Sequence, residues 1–325
     1  LLGKGAVMIY IEYLILAILV VVFSVRLSTY VDALDKKTSL SGAFLGGVLL
    51  AAVTSLPELF TSLTAVLVLD EPQLVQGDVL GSNVFNLCII AGLMLFTFNG
   101  YKKSKVSNSH KSTLYYGIVM YVLVAIAIIK PIDIPLGPIH VNLMTILIIV
   151  VYAINVKMMK NDDSAANEEE CNLDLTVPQI AMRFLFFSLL LVGVSILLTQ
   201  VTSKIAADLG LGATVAGAVF LGVATSLPEL SASISLVKMG NFNASFGNVV
   251  GSNLFNFTIL CFADFLYTKG GIYLNDGQVF NLIIFGAISS VLMLVVLYKK
   301  EHKGIVLTAS VLILLSYVAS IAFSL

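Results

Sequence analysis

Charge is what this chain has least of: Asp, Glu, Lys and Arg supply 11% of its 325 residues and leave a formal net charge of −1. A soluble domain carries about 25% charged residues, so with hydrophobic residues at 58% a water-soluble fold is excluded. The few basic residues are scattered over many loops rather than gathered into one stripe, which removes nucleic acid as a partner. Cysteine is as sparse. Cys88, Cys171 and Cys261 lie in different segments, and an odd number without metal-type spacing provides neither a disulfide framework nor a zinc site. No glycine loop followed by lysine is present to cradle phosphates, so ATP-driven pumping is not indicated. Val75-Gln76-Gly77-Asp78 lacks the first glycine of a Gly-x-Gly-Asp run, which argues against an intramembrane aspartyl protease. No enzyme, no cofactor and no obligatory protein partner are expected.

What is present is apolar length. A hydrocarbon core of about 30 Å needs about 20 apolar residues per helix, and on that template the chain divides into ten stretches: 7–34, 40–68, 73–97, 112–129, 138–158, 180–203, 212–238, 243–267, 278–298 and 304–324. The short alternating segments of a membrane barrel are missing, so the expected fold is an all-α polytopic membrane protein. The first stretch is too long for a cleavable signal and reads as a retained helix; the seven residues before Met8 read as a remnant of cloning. Lysine and arginine accumulate on the cytoplasmic side. Loops after odd-numbered helices hold twelve lysines, whereas the other side holds Lys4, Lys130, Lys204 and Lys269, so both termini are expected outside a plasma membrane, with lipid as the surrounding partner.

The chain repeats itself. Thr54-Ser55-Leu56-Pro57-Glu58-Leu59 returns as Thr225-Ser226-Leu227-Pro228-Glu229-Leu230, and Gly77-Asp78-Val79-Leu80-Gly81-Ser82-Asn83-Val84-Phe85-Asn86 returns as Gly247-Asn248-Val249-Val250-Gly251-Ser252-Asn253-Leu254-Phe255-Asn256. Five helices separate each motif from its copy, and an odd number inverts the second half. Two five-helix repeats are expected, 1–160 and 177–325, joined by an acidic linker, 161–176, that contains Asp162, Asp163, Glu168, Glu169, Glu170 and Asp174. That linker lacks the ligand spacing and turn glycine of a calcium-binding hand and reads as a solvated tether. Inverted repeats are a hallmark of secondary transporters, whose sites lie near the midplane on broken helices.

Glu58 and Glu229 fall near the centres of spanning segments, where a carboxylate is expensive and marks a functional site. Pro57 and Pro228 lack an N–H and clash with the carbonyl four residues earlier, so each helix should break just before its glutamate. Thr54, Ser55, Thr225 and Ser226 add hydroxyls beside the breaks. Ser82 with Asn86, and Ser252 with Asn256, are spaced i, i+4 and share a helix face. Gly77, Gly81, Gly247 and Gly251 permit close helix contact. Together these motifs offer two carboxylates, hydroxyls, amide oxygens and backbone carbonyls, with no histidine or thiol. Such hard oxygen ligands select calcium, magnesium, manganese or alkali ions. Two glutamates neutralise one divalent ion or admit several monovalent ones, and mutually exclusive occupancy is the physical basis of exchange. Sodium and proton loading both satisfy that argument, and a cation channel of related architecture is the further alternative. Asp78 has no acidic counterpart, since Asn248 takes its place. It is expected to be an auxiliary cation or proton site facing outside, or a structural hydrogen-bonding group. Asp264 has no assignment.

The four motifs resemble the alpha repeats of the cation/calcium exchanger superfamily, and the Thr-Ser-Leu-Pro-Glu form is similar to the sodium/calcium exchanger branch and its prokaryotic relatives. The resemblance implies alternating access in which the first and sixth helices slide across a core of the other eight. It implies ion ligation by Thr54, Ser55, Glu58, Ser82 and Asn86, by Thr225, Ser226, Glu229, Ser252 and Asn256, and by the carbonyls of Ala51 and Gly222. The implied function is a secondary antiporter exchanging sodium for calcium; a calcium/proton or other divalent cation/proton exchanger of the same fold is the alternative. Proton-coupled relatives resemble a Gly-Asn-Ala pattern before the glutamate, which this chain lacks, and asparagine at position 256 speaks against potassium coupling.

Overall fold

The protein is described from a computed structural model over residues 4–136, 139–160, 173–208 and 222–323. In chain order the helices are α1 (Lys4–Lys37), α2 (Gly42–Leu69), α3 (Pro72–Lys103), α4 (Ser109–Ile129), α5 (Leu143–Lys160), α6 (Val177–Asp208), α7 (Gly222–Thr225 and Leu227–Lys238), α8 (Phe242–Leu266), α9 (Gly277–Tyr298) and α10 (Lys303–Ala322). Among the described residues, nine of these are long and apolar enough to cross a membrane; α7 is described only from Gly222. Part of the expected stretch 212–238 therefore lies outside the described residues, as do Cys171 and the linker acids Asp162, Asp163, Glu168, Glu169 and Glu170. The protein is an all-α polytopic membrane protein.

Centrality follows from residue size and burial. In their most apolar windows α8 is 78% buried and α3 72%, against 17% for α1, so α3 and α8 form the middle and α1 the periphery. Val79 and Leu80 of α3 pack with Met120 and Val124 of α4 and with Leu254 and Phe257 of α8. Farther along, Leu87 and Met94 of α3 pack with Val250 of α8, Met293 of α9 and Ile313 of α10. α1 and α6 form a separate layer, with Phe23 and Tyr30 of α1 against Phe187 at centroid separations of 5.9 and 5.8 Å. The opposite face of α1 exposes Met8, Leu14 and Ile18, as a lipid-facing helix does. After its first turn, α2 takes a π-helical winding at Leu45–Leu50. There it touches α8 backbone to backbone: a Cβ on Gly46 would lie 2.2 Å from the carbonyl oxygen of Ala244, and one on Gly251 2.1 Å from that of Gly47.

Two boundaries differ from the sequence expectation. The apolar stretch 73–97 marks only part of α3, which continues to Lys103 through a non-helical Thr97 (φ −122°, ψ 21°); hydropathy reports where the chain leaves hydrocarbon, whereas polar residues such as Asn99 and Lys102 sustain the helix beyond it. The stretch 138–158 begins as an antiparallel hairpin, β1 (Asp133–Leu136) with β2 (Ile139–Asn142), in which Asp133 faces Asn142. The turn after the hairpin is fixed by Asp264, whose Oδ2 accepts the Asn142 N–H at 2.9 Å and the Thr145 hydroxyl at 2.7 Å. This gives the unassigned carboxylate a structural position at the start of α5.

Candidate ion-binding site

Both proline-containing motifs break their helices at the residue before the Leu-Pro-Glu run. Ser55 (φ −90°, ψ 4°) separates 42–54 from Leu56–Thr64, and Ser226 (φ −83°, ψ 6°) separates Gly222–Thr225 from Leu227–Lys238. Each proline then occupies the first turn of the following helix, where its missing N–H costs nothing, and each glutamate comes directly after. The carbonyls of Ala51 and Gly222 are not released by the breaks. They keep the Ser55 and Ser226 N–H groups at 3.0 and 3.3 Å and also accept the Ser252 and Ser82 hydroxyls, at 3.4 and 3.2 Å.

The last two contacts cross between the halves, and so do four more. Ser55 donates to Glu229 Oε1 at 3.0 Å, and Ser226 donates to Glu58 Oε1 at 3.3 Å. Asn86 donates Nδ2 to Asn253 Oδ1 at 3.0 Å, and Asn256 donates Nδ2 to Asn83 Oδ1 at 3.1 Å. Residue i of one half meets j of the other and j meets i in return, the reciprocity that a twofold relation gives. Ser252 also donates to Glu229 Oε1 at 3.1 Å, and Thr54 lies 3.4 Å from Ser252 Oγ. The twelve residues singled out by sequence thus fall on the two broken helices and on the facing turns of α3 and α8.

Glu58, Glu229, Ser82, Asn86, Ser252 and Asn256 are all 0% exposed. Burying a polar oxygen without a partner costs free energy, yet four atoms in this cluster make no hydrogen bond among the described residues: Glu58 Oε2, Glu229 Oε2, Asn86 Oδ1 and Asn256 Oδ1. They are two symmetry-matched pairs, all acceptors, and they lie at the ends of side chains whose other polar atoms are held in place. Such a donor set fits a hard cation and offers nothing to an anion or a soft metal.

Asp78 sits beside the same cluster. It is 0% exposed, and its carboxylate accepts the Ser62 hydroxyl at 3.4 Å and the Thr225 hydroxyl at 3.5 Å. Its counterpart Asn248 accepts the Thr54 hydroxyl at 3.3 Å and donates Nδ2 to Ser233 at 3.1 Å. Asn83 and Asn253 escape the sequence reading because they fall off the serine–asparagine face; the available signal is that both recur within the repeated run.

The sequence profile of the family described as "Sodium/calcium exchanger protein" matches residues 9–159 and 180–325. Inner membrane protein YrbG of Escherichia coli K12 is 26% identical over 284 residues, covering 83% of this chain and 85% of YrbG. Uncharacterized membrane protein MJ0091 of Methanocaldococcus jannaschii is 27% identical over 229 residues, covering 69% of this chain and 70% of its own. Among solved structures, the sodium-calcium exchanger NCX_Mj soaked with 10 mM Na+ and 10 mM Sr2+ superposes with a TM-score of 0.69 at 20% identity, covering 97% of this chain and 98% of that one.

Proposed function

The chain belongs to the sodium/calcium exchanger family of membrane antiporters, and from that premise we propose that it exchanges sodium for calcium by alternating access at the oxygen cluster between α2, α3, α7 and α8. The observation that carries this reading is the set of four unbonded buried acceptors, Glu58 Oε2, Glu229 Oε2, Asn86 Oδ1 and Asn256 Oδ1. Two carboxylates match the charge of one calcium ion. Ala51, Thr54, Ser55, Ser82, Gly222, Thr225, Ser226 and Ser252 supply neutral oxygens around them, so the same cage accepts sodium ions in calcium's place. With neither ion bound, two carboxylates would be buried without compensation, at a cost of several kcal/mol per ion. The protein therefore crosses between its two openings only when loaded, which couples the fluxes. We place the site near the membrane midplane, the termini outside, and the working direction as calcium export across a plasma membrane.

Calcium-45 uptake into proteoliposomes loaded with sodium tests the proposal against potassium or choline loading and against a pH gradient without sodium. Uptake only with internal sodium is expected, and Glu58→Gln and Glu229→Gln should each abolish it. Uptake driven by the pH gradient alone would instead establish proton coupling, a reading favoured by one observation, the further buried carboxylate of Asp78 beside the cluster. Flux that persists without a counter-ion gradient would make the protein a channel.

A further inference from the structure

Asn83 and Asn253 stand outside the proposed ligand set, each one residue after a ligand serine. We propose that they are positioning residues that fix the polarity of the two ligand amides, so that oxygen and not NH2 faces the cation. A carboxamide is ambivalent: its oxygen and its nitrogen are nearly the same in shape but opposite in what they bind. A cation site built from asparagine therefore needs something to decide which end points inward. Here the NH2 of Asn86 is taken up by Asn253 Oδ1 at 3.0 Å and that of Asn256 by Asn83 Oδ1 at 3.1 Å. The ends left over are the oxygens, which make no hydrogen bond among the described residues.

The two acceptors are amides themselves and would be just as ambivalent if nothing held them. Asn83 donates Nδ2 to the backbone carbonyl of Asn253 at 3.3 Å, and Asn253 donates Nδ2 to that of Asn83 at 3.0 Å. A backbone carbonyl accepts and cannot donate, so each relay ends on a group with one polarity. The direction then propagates from the carbonyl through the positioning amide to the ligand amide and the ion. Asn83, Asn86 and Asn256 are 0% exposed and Asn253 6%, and buried polar groups are costly to leave unpaired. The relay is crossed: α3 positions the ligand of α8, and α8 that of α3.

This inference rests on the ion-site reading, and its test separates the two. Half-saturation for calcium is measured by calcium-45 uptake in sodium-loaded proteoliposomes, and binding without transport by calcium-induced thermal stabilisation of the purified protein. Asn253→Ala and Asn86→Ala are each expected to raise the half-saturating calcium concentration tenfold or more. Residues that act as one unit are non-additive, so the double variant should be within about threefold of Asn86→Ala alone, whereas Asn253→Ala combined with Asn256→Ala should multiply the two losses. Asn83→Ala should show the converse, coupling to Asn256 and not to Asn86. Equal coupling of Asn253 to both ligands, or unchanged calcium affinity in Asn253→Ala, overturns the relay while leaving the ion site standing. Retained exchange in Glu58→Gln overturns the ion site itself. Asn253→Asp keeps the acceptor for Asn86, and it covers the case in which Asn253→Ala does not fold: half-saturation within about threefold of wild type supports the relay, and a loss equal to that of Asn86→Ala refutes it.

Discussion

Gly251 is not itself a proposed ligand, yet adding one methyl group to it should impair calcium binding. In Gly251→Ala the new Cβ would lie 2.1 Å from the carbonyl oxygen of Gly47 and 2.6 Å from its carbonyl carbon and Cα. These are backbone atoms that cannot rotate away, and Cβ contacts below 3.0 Å essentially never occur, so α2 and α8 must separate by about 1 Å at this point. The next residue on α8 is Ser252, whose hydroxyl reaches the Ala51 carbonyl at 3.4 Å, already at the limit of a hydrogen bond. A separation of that size breaks the contact and carries Thr54 and Ser55 away with α2. Overpacking of this kind costs about 1–3 kcal/mol, equivalent to about 5- to 150-fold in affinity if the helices move apart. If they do not move, the same amount is lost from stability. Half-saturation in calcium-45 uptake and thermal melting in detergent, read together, capture both routes. Gly92→Ala is the matched control: nothing lies within 4 Å of its Cβ position, and removing a glycine from a helix interior should leave stability unchanged or raise it by about 0.5–1 kcal/mol. Wild-type affinity and wild-type melting in Gly251→Ala would refute the argument that backbone contact between α2 and α8 sets the site.

Asp78→Asn removes a charge while keeping the acceptor for Ser62 and Thr225, so exchange should persist with altered pH dependence or external-ion affinity; transport unchanged in both respects would dismiss an ionic role. Asp264→Ala leaves the Asn142 N–H and the Thr145 hydroxyl without their carboxylate and should lower stability by about 1–3 kcal/mol in thermal melting, with calcium affinity unaffected. At the exposed end of α2, the Tyr267 hydroxyl and then Lys269 hold Asp70 below the ordinary carboxylate range. A depressed value stabilises the folded state above the ordinary carboxylate pKa of about 4 and loses that contribution as pH falls through the folded value. Melting curves of wild type and Asp70→Asn should therefore differ at neutral pH and converge under acid.

Much of this architecture is legible because the sequence states it twice. Composition alone puts the chain in a bilayer, and Pro57 and Pro228 mark the two helix breaks to within two residues, since a missing N–H is a local fact. Glu58 and Glu229 stand out because a carboxylate in an apolar run has no bland explanation when it recurs in the same context. Less legible are features that depend on partners distant in sequence. Asp264 is uninformative until Asn142 and Thr145, more than a hundred positions earlier, are folded against it. The hairpin at 133–142 is short and borders an apolar stretch, so its alternation is lost in the hydropathy of α5. Asn83 and Asn253 are visible as repeated residues, but helical periodicity turns them off the serine–asparagine face, and only the crossing of α3 over α8 shows that each serves the other half.

The two halves share the threonine contact and differ at one pair of positions, Asp78 and Asn248. Thr54 donates to Asn248 and Thr225 to Asp78, at 3.3 and 3.5 Å, so both threonine hydroxyls are oriented by an acceptor on the helix of the other repeat. The second contact at this position reverses between the halves: Ser62 donates to Asp78, whereas Asn248 donates to Ser233. An amide can both give and accept, so Asn248 completes its half with no net charge. The carboxylate of Asp78 accepts both hydroxyls, and in its ionised form it would add a third acid to the proposed site. With Asp78 ionised, charge would distinguish the two proposed half-sites, a physical reason for a cation to load them unequally.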